Sequence, residues 1–431
     1  MPWPGADRAS PRTTLAALSL ALSIGQIGGE PPVVVTVPLH QSDAHPTYPP
    51  CVSISADGRF VAFVSAARLL PSDENDRDDI YVLDRESGEV SFETAGVVLA
   101  GTQRPAISGT GRFLVYETGS HVLMVRDRAE DAARPLQRGR EPPNAQSRTP
   151  SVSADGRYVA FASGATNLAD GPDPNGVVDD VYLADTASMT FRRISAGAAR
   201  TEPAGAAAFA PVISEDGRFV AFSSSAPLDS RAARSKGRVL GIYLYDTQTG
   251  ATTAVSVNAS GGTPDGSSYS PAISADGRYV AFVSNATDLV RRRDRNRVPD
   301  IYLRDVVART TELVSRTPSG DGGNAASRHP ALSADGRFVV FQSEASNLTC
   351  GERCGAPDRD INLVADIFRR DRQAGRTEQI SRGRTPWMEP SIGPAVDGTG
   401  TVVAFASRHA LDQADDRYDY DLFVWAGAAP R

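Results

Sequence analysis

Four segments of the chain offer hard oxygen donors at one spacing: Asp73-x-Asn75-x-x-x-Asp79, Asp173-x-Asn175-x-x-x-Asp179, Asp294-x-Asn296-x-x-x-Asp300 and Asp360-x-Asn362-x-x-x-Asp366. Alternating Asp and Asn with a later Asp is how a loop presents calcium with oxygen ligands, backbone carbonyls and water completing roughly six to eight. Histidine and cysteine are missing from these positions, so no transition metal is indicated. The glycine and the terminal bidentate glutamate of a tight calcium loop are missing too, which limits the expectation to weak structural calcium. The plainer role for the same side chains is capping turns through local backbone hydrogen bonds. Calcium, if bound, raises the melting temperature and a chelator lowers it.

A second set stands two residues ahead of a recurring proline: Tyr48, Gln103, Arg148, Phe209, Tyr269, Arg328 and Met388, with His329 and Glu389 alongside. Mixed aromatic and arginine side chains suit a grip on a peptide or glycan; plain packing is the alternative use. Acidic residues or histidine among them would instead suit acid–base chemistry. The chain has 5 His in all, scattered among different segments, which argues against an imidazole metal cluster.

The elements that must position both sets repeat. The phrase Ser-Ala-Asp-Gly-Arg-Tyr-Val-Ala-Phe, with small changes, occupies 55–63, 153–161, 214–222, 274–282 and 333–341, and divergent copies lie at 108–116 and 397–405. A fixed repeat means that each unit buries its apolar faces only by stacking on its neighbours. In the copy at 274–282, residues 271–274 read as a short strand, Ala275-Asp276-Gly277 as a tight turn and 278–284 as a second strand with two apolar faces. Residues 300–305 and 310–315 read as a third and a fourth strand. A strand apolar on both faces is covered on both sides.

Four antiparallel strands per unit, repeated around a ring, predict an all-β fold: a single seven-bladed β-propeller of four-stranded antiparallel blades. The last unit has candidate strands at 390–396, 401–407 and 421–425 but no fourth, while 33–38 precedes the first copy without a unit of its own. The expectation is that 33–38 completes the last blade, closes the ring and removes exposed sheet edges. Domains then divide into 1–29 as a leader and 30–431 as the propeller. First strands line the central channel, so the proline-preceding residues should ring its mouth. The tight Asp-Gly turns fall on one face of the disc and the long, variable loops on the other, where binding is expected.

These residues resemble a known family. The Ser-Ala-Asp-Gly-Arg-Tyr-Val-Ala-Phe hairpin followed by Asp300-Ile-Tyr-Leu-Arg-Asp305 is similar to the WD-like repeat of TolB-type β-propellers, over nearly everything after residue 33. The resemblance implies the propeller fold and leaves function open, since such propellers serve binding, periplasmic assembly and the gating of attached enzymes. The second unit departs most, with Gly109-Thr110-Gly111 at its turn.

Basic residues Arg8 and Arg12, an apolar run over 15–24 and small residues to Gly29 have the shape of a secretory signal, so a periplasmic or extracellular location is expected. Cys350 and Cys354 are spaced for a local disulfide, with Cys51 left over. A formal charge of -7 excludes an electrostatic case for nucleic acid or an acidic membrane. No run approaches the roughly 20 apolar residues of a membrane span. A monomer is expected.

Nucleophile-elbow, His-Glu-x-x-His and phosphate-loop patterns are absent. The leading expectation is therefore an exported scaffold that binds a protein, peptide or glycan through its long-loop face, without catalysis. The alternative is a hydrolase or lyase with acidic or histidine residues at the channel mouth. A carboxylate pair or a His–carboxylate pair converging in the channel would favour the enzyme.

Overall fold

The computed structural model describes residues 35–38 (backbone), 52–94 except 76, 105–196 except 121, 172 and 174, then 206–229, 239–291, 296–349, 364–381, 390–408 and 420–427. Seven four-stranded antiparallel sheets run in simple up-and-down order, and no helix is present among the described residues. Blade 5 is typical: Ser268–Ile273, Tyr279–Ser284, Asp300–Asp305 and Thr310–Leu313, from the inner strand to the rim. The inner strand begins three residues earlier than the sequence pattern indicated, because the segment ahead of the proline also pairs, Ser268 with Ser284 and Tyr269 with Val283.

The ring closes as expected. Val35–Pro38 pairs antiparallel with Asp421–Ala426, from Val35 opposite Val424 to Pro38 opposite Asp421, and supplies the missing fourth strand of blade 7. Residues 1–29, expected to be a leader, and the cysteines lie outside the described residues. No described helix is long and apolar enough to cross a membrane.

The second and third strands of each blade form the buried middle of the sheet. Val280, Ala281, Phe282 and Val283 are all fully buried, since the two faces of the strand lie against the two neighbouring blades. The phenylalanine of this strand stacks on the aromatic of the third: Phe63 on Tyr81 at 5.8 Å, Phe161 on Tyr182 at 5.8 Å, Phe341 on Phe368 at 6.0 Å. Such pairs add about 0.5–1.5 kcal/mol beyond area burial. Between Val280 and Val283 the sheet is thus core on both sides.

The Asp-Gly turn does more than reverse the chain. Ser274 Oγ donates to Asp276 Oδ1 (2.7 Å) and accepts from the Tyr279 amide (2.9 Å), while the Arg278 amide donates to Asp276 Oδ1 (2.9 Å). Main-chain bonds then link turn to turn around the axis: Ala275 N to Ala334 O (3.0 Å), Ala334 N to Gly398 O (2.9 Å), Gly398 N to Ala56 O (2.8 Å) and Ala56 N to Gly109 O (2.9 Å). Gly277 sits at φ +73, and a Cβ there would lie 2.2 Å from Cδ2 of Phe219 on the preceding blade. Glycine is required twice, once for the left-handed conformation and once for the blade-to-blade approach.

Gly277→Ala is expected to destabilise the fold by about 2–4 kcal/mol, combining the left-handed penalty with overpacking. In a Phe219→Ala background the clash with the ring is removed and only the contact with the Cβ of residue 219, at 2.7 Å, and the conformational part remain, so chemical denaturation of the two singles and the double should be non-additive. Additive losses would show that the aromatic and the turn do not share this contact.

Candidate active site at the central channel

The inner strands of blades 3 to 7 share an irregularity that shapes the channel. Register slips by one residue between Arg148 and Ser151, Phe209 and Val212, Tyr269 and Ala272, Arg328 and Ala331, and Ile392 and Ala395. At each bulge the residue before a proline has positive φ: Thr149 (49), Ala210 (51), Ser270 (51), His329 (51) and Gly393 (63). A left-handed β-branched threonine is costly, and a following proline restricts the backbone further. These residues and their prolines line a central cavity of about 330 Å³ together with Ser53 and Ser151. Thr149 Oγ1 is buried there without a hydrogen-bond partner. His329 is the only titratable side chain on the cavity wall among the described residues.

One residue earlier on each strand stand the expected mouth residues. Arg328 Nη1 donates to the Tyr269 hydroxyl of the neighbouring blade at 3.1 Å, directly beside His329 in the chain. Arg148 Nη2 pairs with Asp179 Oδ1 at 2.9 Å, and Arg148 Nε is buried without a partner. Phe209 is half-buried at the equivalent position of blade 4. Tyr48, Gln103 and Met388 lie outside the described residues. Blade 7 corrects the expected register: Ile392, opposite Ala406 as Arg148 is opposite Ala162, holds the mouth position. Two prolines, Pro390 and Pro394, follow one another in that blade, and the bulge uses the second.

The Asp/Asn loops are tied together by nitrogen donors. In blade 1, Asn75 Nδ2 donates to both Asp73 Oδ1 (3.1 Å) and Asp79 Oδ2 (3.0 Å), and the Tyr81 hydroxyl donates to Asp73 Oδ2 (2.5 Å). In blade 3, Arg193 Nη1 lies 2.9 Å from Asp173 Oδ1 and 3.4 Å from Asp180 Oδ2, while Asn175 Nδ2 donates to Ala206 O. In blade 5, Asn296 Nδ2 donates to Asp300 Oδ2 and to Gly323 O, both at 2.7 Å. Asp294, Asp360 and Asn362 lie outside the described residues. The strand-opening aspartate is also held from two residues beyond the fourth strand: Thr94, Ser195, Ser315 and Ser381 hydroxyls donate to Asp79, Asp180, Asp300 and Asp366 at 2.5–2.8 Å. In blade 3 that buried residue is Asp180, one beyond the Asp179 that the spacing selected, because one more residue separates Asn175 from the strand than separates Asn75 from its strand; Asp179 instead faces Arg148.

Two acidic groups escaped the sequence reading. Where six turns around the axis carry Ala56, Gly109, Ala154, Ala275, Ala334 and Gly398, the seventh carries Glu215. Burial, and then the charge of Asp216, holds its carboxyl above the usual range. On the long-loop face, blades 3 and 6 clasp their loops with amides, Asn144 to Asn167 and Asn324 to Asn347, whereas blade 5 uses two acids, the Asp265 amide donating to Asp288 Oδ1 at 3.1 Å. Burial and Asp265 likewise hold Asp288 above its ordinary range.

No family model matches the sequence, and no match is found among curated proteins. By structure, the chain is similar to an oligogalacturonate lyase from Vibrio parahaemolyticus, with TM-score 0.54 and 15% identity, over 91% of this chain and 94% of that one. It is similar to an oligogalacturonate lyase in complex with manganese, with TM-score 0.53 and 14% identity, over 88% of each chain. TolB from Acinetobacter baumannii is matched more loosely, with TM-score 0.40 and 13% identity, over 88% of this chain and 79% of that one. The fold is a seven-bladed β-propeller. The expectation of a non-catalytic scaffold is corrected by the lyases, whose chains this propeller covers almost end to end, so that catalysis there needs no added domain.

The manganese of the second lyase does not carry over to the described residues of this chain. They hold no group of three His, Cys, Asp or Glu able to take a metal ion, and the cavity wall offers a single imidazole among hydroxyls and prolines.

If the blade 1 loop is a hydrogen-bonded clasp, Asp73→Ala lowers stability by about 1–3 kcal/mol through the orphaned Tyr81 hydroxyl and Asn75 amide. The melting gap between the wild type and Asp73→Ala should be equal in calcium and in chelator; a wider gap in calcium would restore the ion to this loop. Glu215 makes a separate prediction. Its folded carboxyl binds a proton more tightly than the unfolded one, so its contribution is complete below the ordinary carboxylate range and is lost as pH rises through the raised folded value. Wild type should therefore lose stability relative to Glu215→Gln as pH rises above the ordinary glutamate range, about 4. A pH-independent difference between the two melting curves would contradict this.

Proposed function

We propose that the protein is a lyase that cleaves acidic oligosaccharides at the mouth of its central channel. The observation that carries this reading is the hydrogen bond from Arg328 to the Tyr269 hydroxyl across two blades, beside His329 on the channel wall. Elimination next to a carboxylate needs a cation to hold the substrate's acid group, a base to take the neighbouring carbon-bound proton, and a donor to protonate the departing oxygen. Arg328 suits the first role, being always charged and able to bind carboxylate in a fork. His329 suits the second as a neutral imidazole, and Tyr269 the third. The C–H electron pair becomes the new double bond as the C–O bond breaks, and the oxygen leaves with the phenolic proton. No external oxidant, reductant or cofactor is consumed.

Elimination is favoured over hydrolysis by the composition of the cavity wall. Glycoside hydrolysis uses two carboxyl groups about 5–10 Å apart, and the wall contains hydroxyls and one imidazole but no carboxylate among the described residues. The lyases of similar fold support the reading further, and the basic start and apolar run of residues 8–24 support an exported enzyme.

Oligogalacturonates and other uronate oligosaccharides are the substrates to test, with near-ultraviolet absorbance reporting the conjugated double bond and a reducing-end assay reporting all cleavage. Both signals should rise together in the wild type. His329→Ala and Tyr269→Phe should each lower the rate by about 100-fold or more, and Arg328→Ala should act mainly on KM. Reducing ends without absorbance would make the protein a hydrolase, and full activity in His329→Ala would move the base elsewhere.

A further inference from the structure

On the long-loop face three blades tie the segment entering the inner strand to the loop leaving the second strand. In blade 3 the Asn144 amide donates to Asn167 Oδ1 at 3.1 Å, the Thr166 amide donates to Asn144 Oδ1 at 2.9 Å, and Asn144 Nδ2 donates to Thr166 Oγ1 at 2.9 Å. In blade 6 the same three bonds join Asn324 to Asn347 and Ser346, at 3.0, 2.9 and 2.9 Å. Both clasps are neutral. Blade 5 keeps the geometry and changes the chemistry: the Asp265 amide donates to Asp288 Oδ1 at 3.1 Å, the Thr287 amide to Asp265 Oδ1 at 2.7 Å, and the Thr287 hydroxyl to Asp265 Oδ2 at 2.6 Å.

Two carboxyl groups thus stand where the sibling clasps put two carboxamides, within hydrogen-bond reach of one another. The donor that Asp288 lacks comes from a third loop. Asn258 Nδ2 reaches Asp288 Oδ2 at 3.4 Å and Thr263 O at 3.0 Å, the latter replacing the bond from Asn167 Nδ2 to Pro142 O in blade 3. The blade 5 loops also approach more closely: a Cβ on Gly266 would lie 2.7 Å from the main chain of Asn285 and Ala286, whereas the siblings carry Ala145 and Ala325 there. Two ionised carboxylates at this approach repel, and burial of Asp288 adds to the cost, so the closed clasp favours a proton between them. Among the described residues the other charged group on the cavity beside Asp288 is Arg291, which is exposed and charged at every pH, so the titration belongs to the two acids. Residues 292–295 lie outside the described residues.

We propose that the blade 5 clasp is a proton-operated latch at the channel mouth: one proton shared by Asp265 and Asp288 holds the entering segment against its neighbour, and ionisation of both acids releases it. That segment runs directly into Ser268 and Tyr269, so the latch sets the freedom of the tyrosine that pairs with Arg328. A carboxyl raised in the closed state contributes fully below its ordinary range and loses that contribution as pH rises through the raised value. The latch is therefore shut in acid and loosens as pH rises, while the amide clasps of blades 3 and 6 stay shut. Any effect on turnover rests on the lyase reading; the latch does not.

Hydrogen exchange read by mass spectrometry on the whole protein, over a pH series corrected for intrinsic exchange rates, follows each clasp separately. Peptides covering 263–268 and 285–288 should lose protection as pH rises above the ordinary aspartate range, about 4, while those covering 322–327 and 344–347 keep theirs. Asp288→Asn restores the sibling amide and should keep the blade 5 clasp shut throughout; Asp288→Ala should leave it open throughout. A wild-type blade 5 clasp that tracks the blade 6 clasp across the series would overturn the latch, as would a loss of protection in Asp288→Asn equal to that of the wild type. Protection regained by the wild type, but not by Asp288→Asn, on adding calcium chloride would put a divalent cation in the proton's place and overturn it too. Exchange is read without turnover, so a failure of the lyase reading leaves this test intact.

Discussion

The fold depends on one contact repeated around the axis: in six of the seven blades the glycine of the turn is pressed against an aromatic residue of the blade before it, and in blade 1 Gly58 meets Val402 instead. At Gly277 and Phe219 the approach leaves no room for a single methyl group. The same aromatics carry arginines on their other side: the Arg278 guanidinium stands 4.9 Å above the Tyr279 ring while pairing with Asp305 at 2.8 Å. These arginines are too exposed for their ion pairs to stabilise the fold much. Their stacking fixes the aromatic on which the next turn rests. Turn, ring and guanidinium form one device, and its repetition converts separate hairpins into a closed array.

That device was legible because each of its parts is written in local chemistry. Asp-Gly at fixed distance from a β-branched and aromatic run states the turn and the strand together. The orphan strand at the N-terminus was legible by counting, since a ring of four-stranded blades leaves no other place for it. The bulges of the inner strands were not legible. Ser-Arg-Thr-Pro-Ser-Val and its equivalents read as loop followed by strand, because a proline within a run argues against a strand. The structure keeps the strand and absorbs the proline by turning the preceding residue left-handed. Met388 was selected for the same reason that Ile392 was missed: with two prolines in blade 7, nothing local says which one the bulge uses.

The Asp/Asn loops show a different limit. Their letters are compatible with a cation between carboxylates or with a hydrogen-bond donor there, and the choice lies in which nitrogen is delivered from elsewhere. Asn75 comes from the loop itself, but Arg193 comes from the fourth strand of blade 3, well outside the motif. A guanidinium between two aspartates neutralises the like-charge repulsion that calcium would otherwise relieve. Spacing within a loop cannot report a partner that the fold brings in. Asp179 and Asp180 differ by one residue in sequence, yet one is half-buried against Arg148 and the other is closed inside the blade.

The placement of strain connects the scaffold to the site. Residues at left-handed φ cost about 1–3 kcal/mol each unless glycine occupies them, and the chain uses glycine freely at its tight turns. At the inner bulges it does not: threonine, alanine, serine and histidine hold this conformation in four successive blades, and glycine returns only in blade 7. Packing alone does not call for a side chain there, since the bulge faces an open cavity rather than a neighbouring blade. A rigid ring with a fully buried second strand in every blade can carry such a cost. What the side chains gain is position: a bulge lifts each one from the regular alternation of the strand into the channel. The polar members of this arc, Thr149, Ser270 and His329, therefore stand where packing gives no reason for them to be polar, and the proposed elimination at His329 gives one for the histidine.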